Sequence, residues 1–319
     1  MYEILSQSEF AEIFQSPGRA EDYSAASGAH YVLVDAAKPD LPNIAHRPAC
    51  PIIGVGPYRP DANCVDVFAQ SEVQMERLCQ QIAAQPLAAA TLVQILRASL
   101  DADISAALLR ESLAYSTLQF SQGFQTWRAS QPPPIVVEEA EPLRLQRKDD
   151  VLNVTFNRPA VHNAYSTQLR DAFCSALQLA HDDRSLRHVR VAGEGPSFCA
   201  GGDLSEFGAV TDAGLAHLSR TTRSAGYLVA TAPIEVSFQL HGACIGAGIE
   251  LPAFSDNIGA REDSFFQLPE VSFGLVPGAG GTVSIPRRIG RHRTAYLAIS
   301  NQPVSAPTAL EWGLIDTLS

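Results

Sequence analysis

The sequence predicts an α/β fold in which a mostly parallel, helix-covered sheet is preceded by a helical region. Three observations lead there. Beyond residue 142, apolar runs such as Val189-Arg-Val191 and the alternating Ile234, Val236, Phe238 and Leu240 are separated by stretches of helical periodicity. That order implies right-handed crossovers between parallel strands. From Ser71 to Arg128 the periodicity is helical, and Ser130-Gln-Pro-Pro-Pro-Ile-Val-Val-Glu-Glu-Ala-Glu-Pro142 reads as a stiff, extended linker between the two regions.

Four segments follow from this. Residues 1–70 form a small α/β region: a helix over Ser6 to Gln15, then short strands at Tyr31-Val-Leu-Val-Asp35, Pro51-Ile-Ile-Gly-Val-Gly56 and Cys64-Val-Asp-Val-Phe68, joined by proline-rich turns. Gly54-x-Gly56 lacks the third glycine and the following helix of a dinucleotide loop. Residues 71–129 hold helices over about 71–84, 87–99 and 104–119, with Ser71 and Asp103 as N-caps and Pro86 as a break. Ile104, Leu108, Tyr115 and Leu118 share one face of the third. After the linker, 130–142, residues 143–319 open with a hairpin, Leu143 to Arg147 against Val151 to Phe156, closed by Lys148-Asp-Asp150. A helix carrying Leu169, Phe173 and Leu177 follows.

Composition narrows the class. The chain has 319 residues, 46% of them apolar and 18% charged, enough to bury one large or two ordinary cores. No apolar run approaches the roughly 20 residues of a membrane span. Met1-Tyr-Glu-Ile-Leu-Ser has no basic start followed by an apolar core, so a cytoplasmic protein is expected, with no membrane partner. A net charge of −11 argues against nucleic acid. Six scattered cysteines form no C-x-x-C pair, so neither a disulfide framework nor a metal site is expected. Cys199 and Cys244 read as small apolar fillers.

The chemistry concentrates between Pro196 and Thr282. Ser197-Phe-Cys-Ala-Gly-Gly-Asp-Leu204 and His241-Gly-Ala-Cys-Ile-Gly-Ala-Gly-Ile-Glu-Leu251 each put small residues at the boundary between an extended run and a helix, where backbone N–H groups can approach a ligand. Two such boundaries can aim two N–H groups at one oxygen, forming an oxyanion hole. Gln267-Leu-Pro-Glu270 adds a second carboxylate to that of Glu250, and Gly274-Leu-Val-Pro-Gly-Ala-Gly-Gly-Thr282 closes the segment.

Asn157-Arg-Pro159 with Asn163-Ala164, Phe198 to Asp203, Gly242 to Glu250, Pro269-Glu270 and Pro277 to Thr282 stand in one register. With that order and spacing, residues 143 to about 319 resemble the crotonase superfamily of enoyl-CoA hydratases and isomerases. The resemblance implies a crotonase-like ββα spiral core that binds an acyl-CoA thioester, with no metal and no redox cofactor, coenzyme A entering as part of the substrate. It implies an oxyanion hole from the amides of Gly202 and Ala247, the latter standing where the family usually has glycine. It makes Glu250 the base on water and Glu270 the acid that protonates Cα, and it places Ala164, Ala200, Asp203 and Leu204 along the substrate. A homotrimer or dimer of trimers is implied.

Other readings stay open: double-bond isomerisation on the same fold, or a silent acyl-CoA-binding protein. Pro252, two residues after Glu250, would remove a helix donor and tilt the carboxylate unless it lies in a first turn. His241 reads as a strand-end histidine with a structural hydrogen bond, and Asp203 as a cap on nearby N–H groups. Arg158 is available to the anionic coenzyme, whereas Arg287, Arg288, Arg291 and Arg293 read as a solvated helix face or an interface. The family pattern normally continues past the stretch matching Ala309 to Asp316 into helices that cover the acyl pocket. Residues 79–128 resemble those helices, so a circular permutation is expected, with the covering helices placed ahead of the core; the alternative is an unrelated helical domain.

Overall fold

The computed structural model describes residues 2–99, 102–132 and 141–319. The expected linker therefore lies largely outside the described residues.

The core is a six-stranded sheet in the order Thr317–Leu318, Asn257–Ala260, Glu235–Leu240, His188–Gly193, Val151–Phe156, Leu143–Lys148. Leu143–Lys148 alone runs antiparallel to its neighbour, because the tight turn at Asp149, with φ of 55°, folds it back as a hairpin. The other pairs are parallel and are linked by helices such as Thr167–Asp182, which buries Leu169, Phe173 and Leu177. Phe173 meets Phe156 and Phe238 edge to face at centroid distances of 5.3 and 6.4 Å, a favoured geometry for aromatic pairs. A second sheet, Val304–Ser305, Phe265–Gln267, Ala243–Ile245, carries the chain toward the functional segment.

Ahead of the core, Ser6 caps the helix Gln7–Phe14 through a reciprocal capping box with Glu9. Three parallel strands follow, Val32–Asp35, Ile52–Val55 and Val67–Ala69. The third begins three residues later than the sequence predicts. At Asp66 the backbone N–H still donates to Ile52 O, but Ile52 N is taken at 2.8 Å by the buried Asp66 carboxylate, which also pairs with Arg97 and Arg291, so a side chain stands in for the backbone acceptor there.

The helices Glu72–Ala84, Pro86–Ala98 and Ile104–Leu118 stand where expected, the first and third capped by Ser71 and Asp103. A fourth, Gln122–Ser130, was not anticipated. Ser121 caps it, and its Trp127 stacks on Phe273 of the core at 4.4 Å. The face of Ile104–Leu118 also differs from expectation. Leu108 and Tyr115 look onto a cavity, while the fully buried positions include the polar Glu111, Ser112 and Ser116.

The arginines of the last long helix, Gly281–Ser300, correct the solvated-face reading. Arg291 is buried and donates to the carbonyls of Ala62, Asn63 and Val65, and His292 bonds the same loop. Arg293 lies between the rings of Tyr58 and Trp312, and Arg288 bonds Ala253 O, Ser255 O and Asp316. Guanidinium groups satisfy loop carbonyls that would otherwise be buried unpaired, so this face joins the N-terminal region to the core.

Candidate active site

One cavity of about 910 Å³ receives Gly202, Asp203, Ala247, Glu250 and Glu270 from the core and Leu108, Glu111, Ser112 and Tyr115 from the helix Ile104–Leu118. One of the helices that precede the core, Ile104–Leu118, therefore packs over the site. Ala164, Ala200 and Leu204 lie outside this wall: Ala164 O accepts from Arg158, Ala200 N donates to His162 O, and Leu204 is exposed.

Two chain segments run side by side to place the amides. Cys199 N donates to Ala243 O at 3.2 Å and Ile245 N to Cys199 O at 3.0 Å. A methyl on Gly246 would lie 3.5 Å from Gly201 Cα, so the two turns touch. Tyr165 N donates to Gly201 O at 2.7 Å and Asp203 N to Tyr165 O at 3.2 Å, fixing the peptides on both sides of Gly202. Its own N–H has no acceptor among the described residues. Gly246, with φ of 50° and ψ of −120°, turns the chain into the one-turn helix Ala247–Glu250, whose first N–H has no intrahelical partner. Both amides are thus left without an internal acceptor, at residues that line the cavity.

Pro252 does not disturb this. The helix ends at Glu250, and Pro252 opens the separate turn Pro252–Phe254 at its first position, where the missing donor costs nothing. His241 bonds Gly195 O at 2.9 Å. Asp203 caps a turn rather than a helix. It accepts from the backbone and hydroxyl of Ser205 and pairs with buried Arg158 at 2.9 Å, and against its burial these bonds hold its carboxyl below the usual range. Cys199 and Cys244 are buried neighbours, and burial pushes the Cys199 thiol up to about 12, away from thiolate chemistry.

Three buried carboxyl groups converge. Glu250 Oε2 accepts from Ala279 N and Gly281 N, both at 2.8 Å, while its other oxygen makes no hydrogen bond among the described residues. Burial pushes Glu250 up to about 7 against those two bonds. Glu270 rises well above the usual range through burial and then the charge of Glu250, and its buried Oε2 has no partner among the described residues. The third group, Glu111, was not anticipated. Its Oε1 accepts from Gly280 N at 2.7 Å, and its Oε2 from Thr282 N at 2.9 Å and Thr282 Oγ1 at 2.7 Å. Burial, then Glu250, raises it. The sequence did hold a signal: position 111 falls between Leu108 and Tyr115 on the apolar face, an odd place for a charge. Among the described residues no group of three or more His, Cys, Asp or Glu side chains is placed to hold a metal ion.

A mostly parallel sheet whose connecting turns bring Gly202, Ala247, Glu250 and Glu270 to one cavity is the architecture of the crotonase class. The chain belongs to the enoyl-CoA hydratase/isomerase family, whose model matches residues 146–319. It is 31% identical over 173 residues to the 2,3-dehydroadipyl-CoA hydratase of Escherichia coli K12, covering 54% of this chain and 67% of that one. It is also 31% identical over 170 residues to the 1,2-epoxyphenylacetyl-CoA isomerase of the same organism, covering 52% and 64%. The crystal structure of an enoyl-CoA hydratase from Bacillus anthracis superposes with a TM-score of 0.53 and 28% identity over 56% of this chain and 70% of that one. The match thus spans about two thirds of these relatives' length.

Proposed function

We propose that the protein adds water to the double bond of a 2-enoyl-CoA thioester. The reading is carried by one observation: two open amides and two buried carboxyls, each pair drawn from separate loops, share a cavity. In the proposed step Glu250 takes a proton from water through its free oxygen as the water oxygen bonds to Cβ. The π electrons move to the thioester oxygen, where the N–H groups of Gly202 and Ala247 meet the developing charge. The enolate then takes a proton at Cα from Glu270, and proton exchange between the two carboxyls and solvent resets them.

The electrostatics support this division. Glu250 keeps two amide donors that favour its charged form, as a base requires, whereas Glu270 has an unpartnered oxygen and is pushed toward the neutral acid by burial and by the charge of Glu250. Losing one donor of an oxyanion hole costs about 3–4 kcal/mol, or about a hundred- to a thousandfold in rate. The helix Ile104–Leu118 covers the pocket in this reading, which supports a circular permutation that places covering helices ahead of the core, and assembly into trimers would be checked by light scattering.

The test is hydration of crotonyl-CoA by wild type, Glu250→Gln and Glu270→Gln. Each variant should lose at least about a hundredfold in kcat. Unchanged turnover in both would end the two-carboxylate mechanism. Turnover of 3-enoyl-CoA without hydration would select isomerisation, and stabilisation by acetyl-CoA without any turnover would select a binding protein.

A further inference from the structure

We propose that Glu111, which lies ahead of the family-matched stretch, is a positioning residue of the reaction centre: it holds the glycine-rich loop 278–282 in the shape that presents two amides to Glu250. The inference rests on the hydratase reading for its kinetic arm only.

Four consecutive amides are shared alternately between two carboxylates. Those of Ala279 and Gly281 go to Glu250, and those of Gly280 and Thr282 go to Glu111. These amides lead into the helix Gly281–Ser300, whose N-cap Gly280 offers no side-chain cap. A helix start leaves several N–H groups unpartnered, and its positive end favours anions. Here the capping acceptor comes from a helix about 170 residues earlier in the chain, with Oε2 taking the Thr282 hydroxyl as well.

The loop packs against Tyr115 and Phe254 and is tied to Glu250 O through Ser284 Oγ, and Glu111 supplies the acceptors for two of its amides. Gly280 sits at φ of 110°, a conformation that only glycine adopts readily, and a methyl on Gly281 would come within 2.7 Å of Glu250 Cγ. Loop and Glu250 are therefore in van der Waals contact, and any shift of the loop is passed to the base. Glu111 is unsuited to act on substrate itself, since both its oxygens are occupied, whereas Glu250 keeps one free. The groups that face Glu111 are Glu250 and Glu270 from the core, Tyr115 on its own helix, and Arg220 from the helix Ala213–Thr222.

The test compares full-length wild type, Glu111→Gln, Glu111→Asp and Thr282→Val. With crotonyl-CoA, Glu111→Gln is expected to lower kcat by about ten- to a hundredfold with KM changed less than about threefold, because the base and not the binding site is displaced. The amides of Ala279 and Gly281 hold Glu250 down against its burial, so a displaced loop should move the limb of the pH profile that belongs to Glu250 in Glu111→Gln. Glu111→Asp should bring that limb back toward its wild-type position. Thr282→Val removes one bond to Glu111 and none to Glu250, and should show the kcat loss at smaller size in a protein that keeps its fold. Wild-type kcat and an unmoved pH profile in folded Glu111→Gln, or no kcat loss in Thr282→Val, would overturn the proposal. If the wild type turns over no enoyl-CoA, the hydratase reading fails separately. Infrared carboxyl titration then tests Glu111, expecting one band lost and the Glu250 band moved in Glu111→Gln, with an unmoved Glu250 band as the refuting result.

Discussion

Gly246 offers a sharp test of how closely the second amide and the second carboxylate are packed. Its φ of 50° and ψ of −120° lie where an L side chain is strained, and a methyl there would land on Glu270 Oε1. Backbone strain of this kind costs about 1–3 kcal/mol. The carboxylate is the mobile partner, and to regain van der Waals contact it must move by about 1 Å. A displacement of about 1 Å in a catalytic group can cost about a hundredfold in rate. Gly246→Ala should therefore remain folded, melt a few degrees lower, and lose about a hundredfold in kcat for crotonyl-CoA. Gly28→Ala is the control. Gly28 also has a positive φ, of 89°, but a methyl there meets nothing within 4 Å, so the melting point alone should fall. Wild-type turnover in Gly246→Ala would refute the role of Glu270, and equal loss in both variants would show that strain anywhere in the chain produces the effect.

Two further outcomes concern stability. Burial lifts Glu270 above the usual glutamate value of 4.5, so the fold favours its neutral form. Its contribution is fully present below the unfolded value and is lost as pH rises through the folded one, so Glu270→Gln should flatten the fall in melting temperature as pH rises above 4.5. Parallel curves for variant and wild type would contradict this. Asp66→Ala leaves Arg97 and Arg291 buried without their shared carboxylate, and should cost about 3–5 kcal/mol in urea unfolding with turnover per folded molecule unchanged. A loss below about 1 kcal/mol would mean the arginines are held by carbonyls alone.

The core was legible because its signals are local. Alternation at Val236, Phe238 and Leu240 marks a strand whose burial follows the same alternation, and Ser71 and Asp103 cap helices because a side-chain oxygen before an amphipathic run meets the first free amides. What was missed depends on contacts distant in sequence. Arg291 and His292 look like a solvated basic stretch until the loop carbonyls at 62–65 arrive to accept from them. The fourth helix, Gln122–Ser130, has a weak apolar pattern of its own and is stabilised by Trp127 against Phe273. Pro252 raised a concern because sequence gives no sign that the Glu250 helix is a single turn. Glu111 has no motif around it, and only its place on an apolar face set it apart.

The most direct measurement is a crystal structure with acetyl-CoA bound. The thioester oxygen should lie about 3 Å from the nitrogens of both Gly202 and Ala247, with the acyl group extending toward Glu250, Glu270 and the helix Ile104–Leu118. A carbonyl bonded to neither nitrogen, or a coenzyme seated away from this cavity, would contradict the assignment of the site.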